Sequence, residues 1–143
     1  LDFESVLADQ DIPVHTTAMD SHADLKGQRQ VIRENTIASF MGITAADYCV
    51  ADTATIVMKT HPHQGRAVSL VPAVHVAVIT LDQILTSLAE LYAVLDDEKN
   101  TPEKGLTHHM VFISGPSKTA DIELTMVHGA HGPKEMHIFV IRA

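Results

Sequence analysis

The sequence predicts an α/β fold built on a layered open sheet, and three observations carry that expectation. "VPAVHVAVIT" is a nearly continuous apolar run of strand length, the pattern of a strand covered on both faces. A stretch of helical periodicity follows it, with Leu81, Ile84, Leu85, Leu88, Leu91, Tyr92, Val94 and Leu95 on one stripe. Two further apolar runs, "HMVFISG" and "MHIFVIRA", complete a strand, helix, strand, turn, strand succession. Such an alternation packs as layers with a right-handed crossover. A chain of 143 residues with 45% hydrophobic content supplies one core, so residues 1–143 are expected to form one domain.

Taken in order, the elements are justified as follows. From Asp2 to about His22 the pattern is mixed. Pro13 lacks an amide proton and disfavours helix at Ile12, so no more than a first helix is expected there. Residues 24 to 41 place Leu25, Val31, Ile32, Ile37, Phe40 and Met41 at helical spacing, but Gly27 and Asn35 weaken the run, which predicts a broken helix. In "YCVADTATIVMK" two short strand-forming runs meet at Asp52-Thr53, as in a tight hairpin. "VPAVHVAVIT" is the expected central strand. Thr80 with Gln83 resembles a capping box opening the helix of residues 81 to 95, which is expected to end near "DDEKN". "HMVFISG" reads as another buried strand and "MHIFVIRA" as the last.

Charge and cysteine content exclude several functions. Ten Lys and Arg against eighteen Asp and Glu give a net charge of -8, with no basic cluster. That argues against polyphosphate partners, nucleic acid among them, and against anionic membranes. No apolar run reaches the roughly 18 residues of a membrane span, and "LDFESVLADQ" is acidic where a signal peptide is basic, so a cytoplasmic location is expected. Cys49 is the single cysteine. It can form no internal disulfide and cannot supply the four thiolates of an ordinary iron–sulfur cluster.

The polar chemistry gathers at "SGPSKTADIE", after a strand. Ligands collect at the carboxyl ends of strands in open α/β sheets. Gly115 permits close backbone approach, Pro116 stiffens the turn, and Ser117, Lys118 and Thr119 offer donors to a small carboxylate or phosphate. The alternation of Ile122, Leu124 and Met126 with Glu123 and Thr125 favours strand over helix there; in a strand the helix dipole is lost and the donor loop remains. The turn chemistry is equally that of hydroxyls capping their own backbone. Asp121 and Glu123 are candidate general bases, or solvated acids. "HGAHGP" sets His128 and His131 three apart between glycines, either to aim two imidazoles at one point or because the loop is tight. Pairs such as His61 with His63 or His108 with His109 lack a specific zinc spacing, and no metal is assigned. His75, inside an apolar strand, reads as a hydrogen-bonded core histidine.

"SGPSKTADIELTMVHGAHGPKEMHIFVI", with "GITAADYCVADTATIVMKT" and "QGRAVSLVPAVHVAVITLDQIL" upstream, resembles the LUD domain family from about Gly42 to Ile141. The resemblance implies a fold similar to the glucosamine-phosphate deaminase, ribose phosphate isomerase and CoA-transferase group. It also implies a part in oxidising L-lactate to pyruvate, with iron–sulfur clusters carried by partner proteins and no cofactor in this chain. It draws Thr53 and Thr55 into the substrate site beside the Gly115 turn, with Asp121, Glu123, His128 and His131 around it. Two departures stand out. The family's Thr-Gly-Thr turn is Thr53-Ala54-Thr55 here, placing alanine where positive φ is expected, and the N-terminal portion is short for the family. Three functions compete: a subunit of a lactate-oxidising assembly, a stand-alone enzyme on a small phosphorylated or carboxylated metabolite, and a motif that serves as a subunit interface in a homo-oligomer.

Overall fold

A computed structural model describes residues 6–7, 10–20, 22–60, 64–99, 109–119, 127–129 and 131–142. Helix α1 (Leu25–Ala38) is continuous rather than broken. Gly27 lies in its first turn, where the Asp24 carboxylate accepts from the Lys26 and Gly27 amides at 3.0 Å each. A Cβ on Gly27 would stand 2.6 Å from that carboxylate, so the glycine makes room for the cap. Asn35 is near the other end, and its carbonyl accepts from Ser39 N at 2.9 Å.

Strand β1 (Met41–Ala45) follows at once. Strands β2 (Tyr48–Val50) and β3 (Thr55–Lys59) form the antiparallel hairpin that the sequence predicts. A 3-10 turn (Arg66–Ser69) leads into β4 (Val74–Thr80). It crosses β1 so closely that a Cβ on Gly42 would collide with the Val68 carbonyl oxygen. Strand β4 is central, as expected, with β1 and β9 (Glu135–Ile141) parallel on either side.

The expected helix of residues 81 to 95 is two different structures. The Thr80–Gln83 capping box exists, but it opens a 3-10 turn (Leu81–Gln83). Gln83 Nε2 is spent on the Ala46 carbonyl at 2.7 Å, and Ile84–Leu85 become a short strand, β5, parallel to β2. Helix α2 (Leu88–Lys99) then starts from a second cap: Ser87 Oγ accepts from Glu90 N, and the Glu90 carboxylate takes Thr86 N–H and Oγ–H at 2.6 and 2.7 Å. Leu91 and Leu95 are buried, whereas Leu81 and Leu88 are exposed.

Strand β6 (Met110–Ile113) is a half-buried edge strand, not a fully buried one, because among the described residues it pairs with β3 alone, in the four-stranded order β5-β2-β3-β6. The short ribbon of β7 (Lys118–Thr119) and β8 (Val127–His128) completes the described elements. The arrangement is a mixed α/β fold of open sheets. Ala77 and Ile79 of β4 pack on Cys49, Ile56 and Met58, joining the three-stranded sheet to the four-stranded one. The other face of the four-stranded sheet packs Val50, Val57 and Leu85 against Leu91 and Leu95 of α2.

Two polar groups sit within these layers. Lys59 Nζ pairs with Glu98 at 2.5 Å, and Tyr48 OH donates to Glu98 at 2.7 Å, tying the end of α2 to the hairpin. Burial, the hydrogen bond to Glu98 and the charges of Glu98 and Asp47 push the Tyr48 phenol up to about 12, so it remains a donor. His75 is the core histidine the sequence predicts: 0% exposed, with Nε2 2.9 Å from Thr44 Oγ1 and no partner for Nδ1 among the described residues. Burial holds its pKa below the usual imidazole range. Burial likewise raises the Cys49 thiol.

Candidate functional site

Two turns meet at the site. The first joins β2 to β3 and holds Ala54 at φ 48°, the left-handed region that the Thr-Ala-Thr substitution made costly. Thr53 Oγ1 lies 2.8 Å from Thr55 Oγ1, and Thr55, buried on β3, reaches 2.8 Å to Ser114 Oγ at the end of β6. Strands β3 and β6 are antiparallel neighbours, with Ile56 opposite Ile113. Thr55 and Ser114 are therefore the next residues out, and their hydroxyls bridge the strand ends.

The second turn runs from Ser114 to Ser117. Gly115 adopts φ 126°, a conformation side chains rarely take, and among the described residues nothing lies within 4 Å of where its Cβ would stand. The glycine is required by the backbone and not by crowding. Ser117 is fastened to the following loop: its amide donates to Pro133 O at 2.8 Å, its carbonyl accepts from Gly129 N at 2.9 Å, and its hydroxyl accepts from His131 N at 3.4 Å. A Cβ on Gly132 would stand 3.2 Å from Ser117 Cβ, and Gly129 has φ 75°. The glycines around the two histidines therefore serve loop geometry and close packing against Ser117.

Residues 118 and 119 are strand, not the start of a helix, so no helix dipole assists an anion there. Lys118 lies opposite His128 and Thr119 opposite Val127. Directly opposed residues share a face and successive residues alternate, so the ribbon sends Lys118 and His128 to one side and Thr119 to the other. Alternation along the ribbon therefore separates Lys118 from Thr119, and these two side chains do not converge on one point. Lys118, His128 and His131 are exposed. Asp121 and Glu123 lie outside the described residues.

The structure thus brings Thr53 and Thr55 to the turn at Gly115, and Ser117 to the loop that carries His131. Ser114 is the residue the sequence reading left out. Its signal was its position, the last residue before Gly115 at the end of a strand. Among the described residues no group of three His, Cys, Asp or Glu side chains could hold a metal ion, and no helix is long and apolar enough to cross a membrane.

A separate cleft of about 1320 Å³ opens over the other face of the three-stranded sheet, between it, α1 and residues 12–17. Ala45, Thr80 and Ile141, at the carboxyl ends of the three parallel strands, line it. None of the sequence-predicted site residues among the described residues does.

The LUD domain family model matches residues 8–141. Lactate utilization protein C from an Exiguobacterium strain is 38% identical over 109 residues, covering 74% of this chain and 46% of that protein. The protein of the same name from Halalkalibacterium halodurans is 36% identical, covering 76% and 46% respectively. The chain spans a little under half the length of these relatives. Among solved structures, a DUF162 family protein from Deinococcus radiodurans superposes with a TM-score of 0.51 at 21% identity, over 77% of this chain and 57% of that one, a likeness of fold.

Proposed function

The chain belongs to the LUD domain family, and from that premise we propose that it is a component of an L-lactate utilisation system, working with iron–sulfur proteins in the oxidation of lactate to pyruvate. In this reading the paired turns hold a small carboxylate. The observation that carries it is the hydroxyl chain Thr53, Thr55, Ser114, with two links of 2.8 Å. Three hydroxyls joined by two hydrogen bonds spend two protons and leave one to donate outward. Gly115 adds a backbone approach without a side chain in the way, and exposed Lys118 adds positive charge beside the turn.

The redox step belongs to partners in this reading. Oxidising lactate removes two electrons and two protons, and the one thiol of this chain is buried and held protonated by burial. Iron–sulfur partners accept the electrons. His128 and His131 are the described imidazoles near the turn, candidates to receive the hydroxyl proton, with Asp121 and Glu123 as further bases.

The reading is tested by Lys118→Glu. Affinity for lactate or pyruvate, measured by calorimetry, is expected to fall while stability changes by no more than about 0.5 kcal/mol, as at an exposed site. Unaltered affinity removes the turn from the site. A second reading, a stand-alone enzyme on a phosphorylated or carboxylated metabolite, is favoured by the cleft at the carboxyl ends of β1, β4 and β9. Turnover of a sugar phosphate, or CoA transfer, by the purified chain alone would support it. Inertness alone, with lactate oxidation restored on adding the chain to iron–sulfur partners, would support the first.

A further inference from the structure

Three of the four arginines in the chain, Arg29, Arg33 and Arg66, line one cleft of about 590 Å³. Arg29 and Arg33 are four residues apart and share one face of α1, and Arg66 opens the 3-10 turn that crosses β1. Among the described residues no carboxylate lines this cleft, and none of the three guanidinium groups has an ion-pair or hydrogen-bond partner. In a chain of net charge -8, three unpaired like charges in one concavity attract anions rather than stabilise the fold.

The neighbouring polar groups are already engaged. Thr36 Oγ1 donates to Ile32 O at 2.7 Å, Thr60 Oγ1 to His109 O at 2.9 Å, and Gln64 Nε2 to Ala45 O at 3.0 Å. The charged donors of the cleft are the guanidinium N–H groups, five on each arginine, in the planar fork that matches phosphate and carboxylate oxygens. The remaining wall is apolar, with Met19, Ile37 and Val71. The volume falls in the range of small-molecule sites, about 300–1,000 Å³.

We propose that this cleft binds a small organic polyanion, a molecule with adjacent phosphate or carboxylate groups for the three arginines and an apolar part against Met19, Ile37 and Val71. One negative charge would leave the mutual repulsion of three arginines largely uncompensated; two or three offset it. The site is separate from the Gly115 turn and shares no residue with it.

Calorimetric titration of the full chain with inorganic pyrophosphate, citrate and lactate tests this. Saturable binding of pyrophosphate or citrate, much tighter than lactate, is expected, and the probe that binds identifies the anionic group as phosphate or carboxylate. Arg29→Gln, Arg33→Gln and Arg66→Gln should each raise the Kd about tenfold, the loss of one charge-assisted hydrogen bond. Lys26→Gln, which removes a charge from α1 outside the cleft, should leave it unchanged, and unaltered thermal midpoints show that the variants fold. The proposal is overturned if neither probe saturates, if the arginine variants bind as the parent does, if Lys26→Gln weakens binding equally, or if a glutamate decapeptide binds and neither small probe does.

Discussion

The four-stranded sheet is covered on both faces, by the three-stranded sheet on one side and by α2 on the other, whereas the three-stranded sheet has one packed face and one that opens on a cleft of about 1320 Å³. Leu91, at the α2 interface, is 0% exposed; Phe139 and Met41, on the outer strands of the three-stranded sheet, are 58% and 47% exposed. Both sheets are built from similar β-branched and apolar residues. The double-sided sheet is a fixed support that holds the Thr55–Ser114 bridge in place, and the single-sided one is surface available for ligands or further polypeptide.

The largest effect that could break this contrast is in the core. Leu91→Ala is expected to destabilise by about 2–5 kcal/mol and Phe139→Ala by less than about 1 kcal/mol, read from denaturant midpoints. Equal losses would mean that the outer face of β9 is packed as tightly as α2. Leu88, which the helical stripe makes a core residue, is 38% exposed, and its truncation belongs with Phe139.

A middle-sized effect sharpens the contrast at the seam between the sheets. His75 reaches Thr44 there, and burial depresses its pKa when folded. The unfolded chain takes up a proton near pH 6.5 that the folded chain resists, so the unfolded state binds more protons and stability falls as pH drops below about 6.5. His75→Gln, which cannot titrate, should flatten the dependence of the urea midpoint on pH between about 6.5 and 5. An unchanged slope would assign the acid sensitivity to carboxylates elsewhere.

The smallest effect lies at the turn of the double-sided sheet. Ala54 at φ 48° is strained, and Ala54→Gly should raise stability by about 0.5–1 kcal/mol. A loss instead would show that the alanine methyl makes contacts worth more than the backbone strain.

Much of the double-sided sheet was legible in the sequence. The hairpin at Asp52-Thr53 follows from two β-branched runs around a polar pair, and in the three-stranded sheet β4 follows from an apolar run too short for a buried helix. Strand β1 was not legible, because Met41 continues the spacing of Ile37 and Phe40, and five residues containing glycine carry little periodicity of their own. The helical stripe from Leu81 misled because its first third pairs with β2 through tertiary contacts of Gln83 and Leu85, while the true cap, Ser87 with Glu90, lay inside it. At the site, both turns were recognisable as motifs. Their meeting was not, since Thr55 and Ser114 are 59 residues apart and only the β3–β6 register joins them.

The pairings of β4 set an order in time. Val74 lies opposite Met41 and Glu135, separations of 33 (74 − 41) and 61 (135 − 74) residues, whereas Tyr48 finds Val57 only 9 (57 − 48) residues away. Closing long loops costs entropy before any contact rewards it. The hairpin can therefore assemble early and locally, but the sheet that carries the larger cleft closes only when β9 arrives. Pulsed hydrogen exchange should find the β2–β3 amides protected before those shared by β4 and β9, and the reverse order would show that the long-range parallel pairing nucleates the fold.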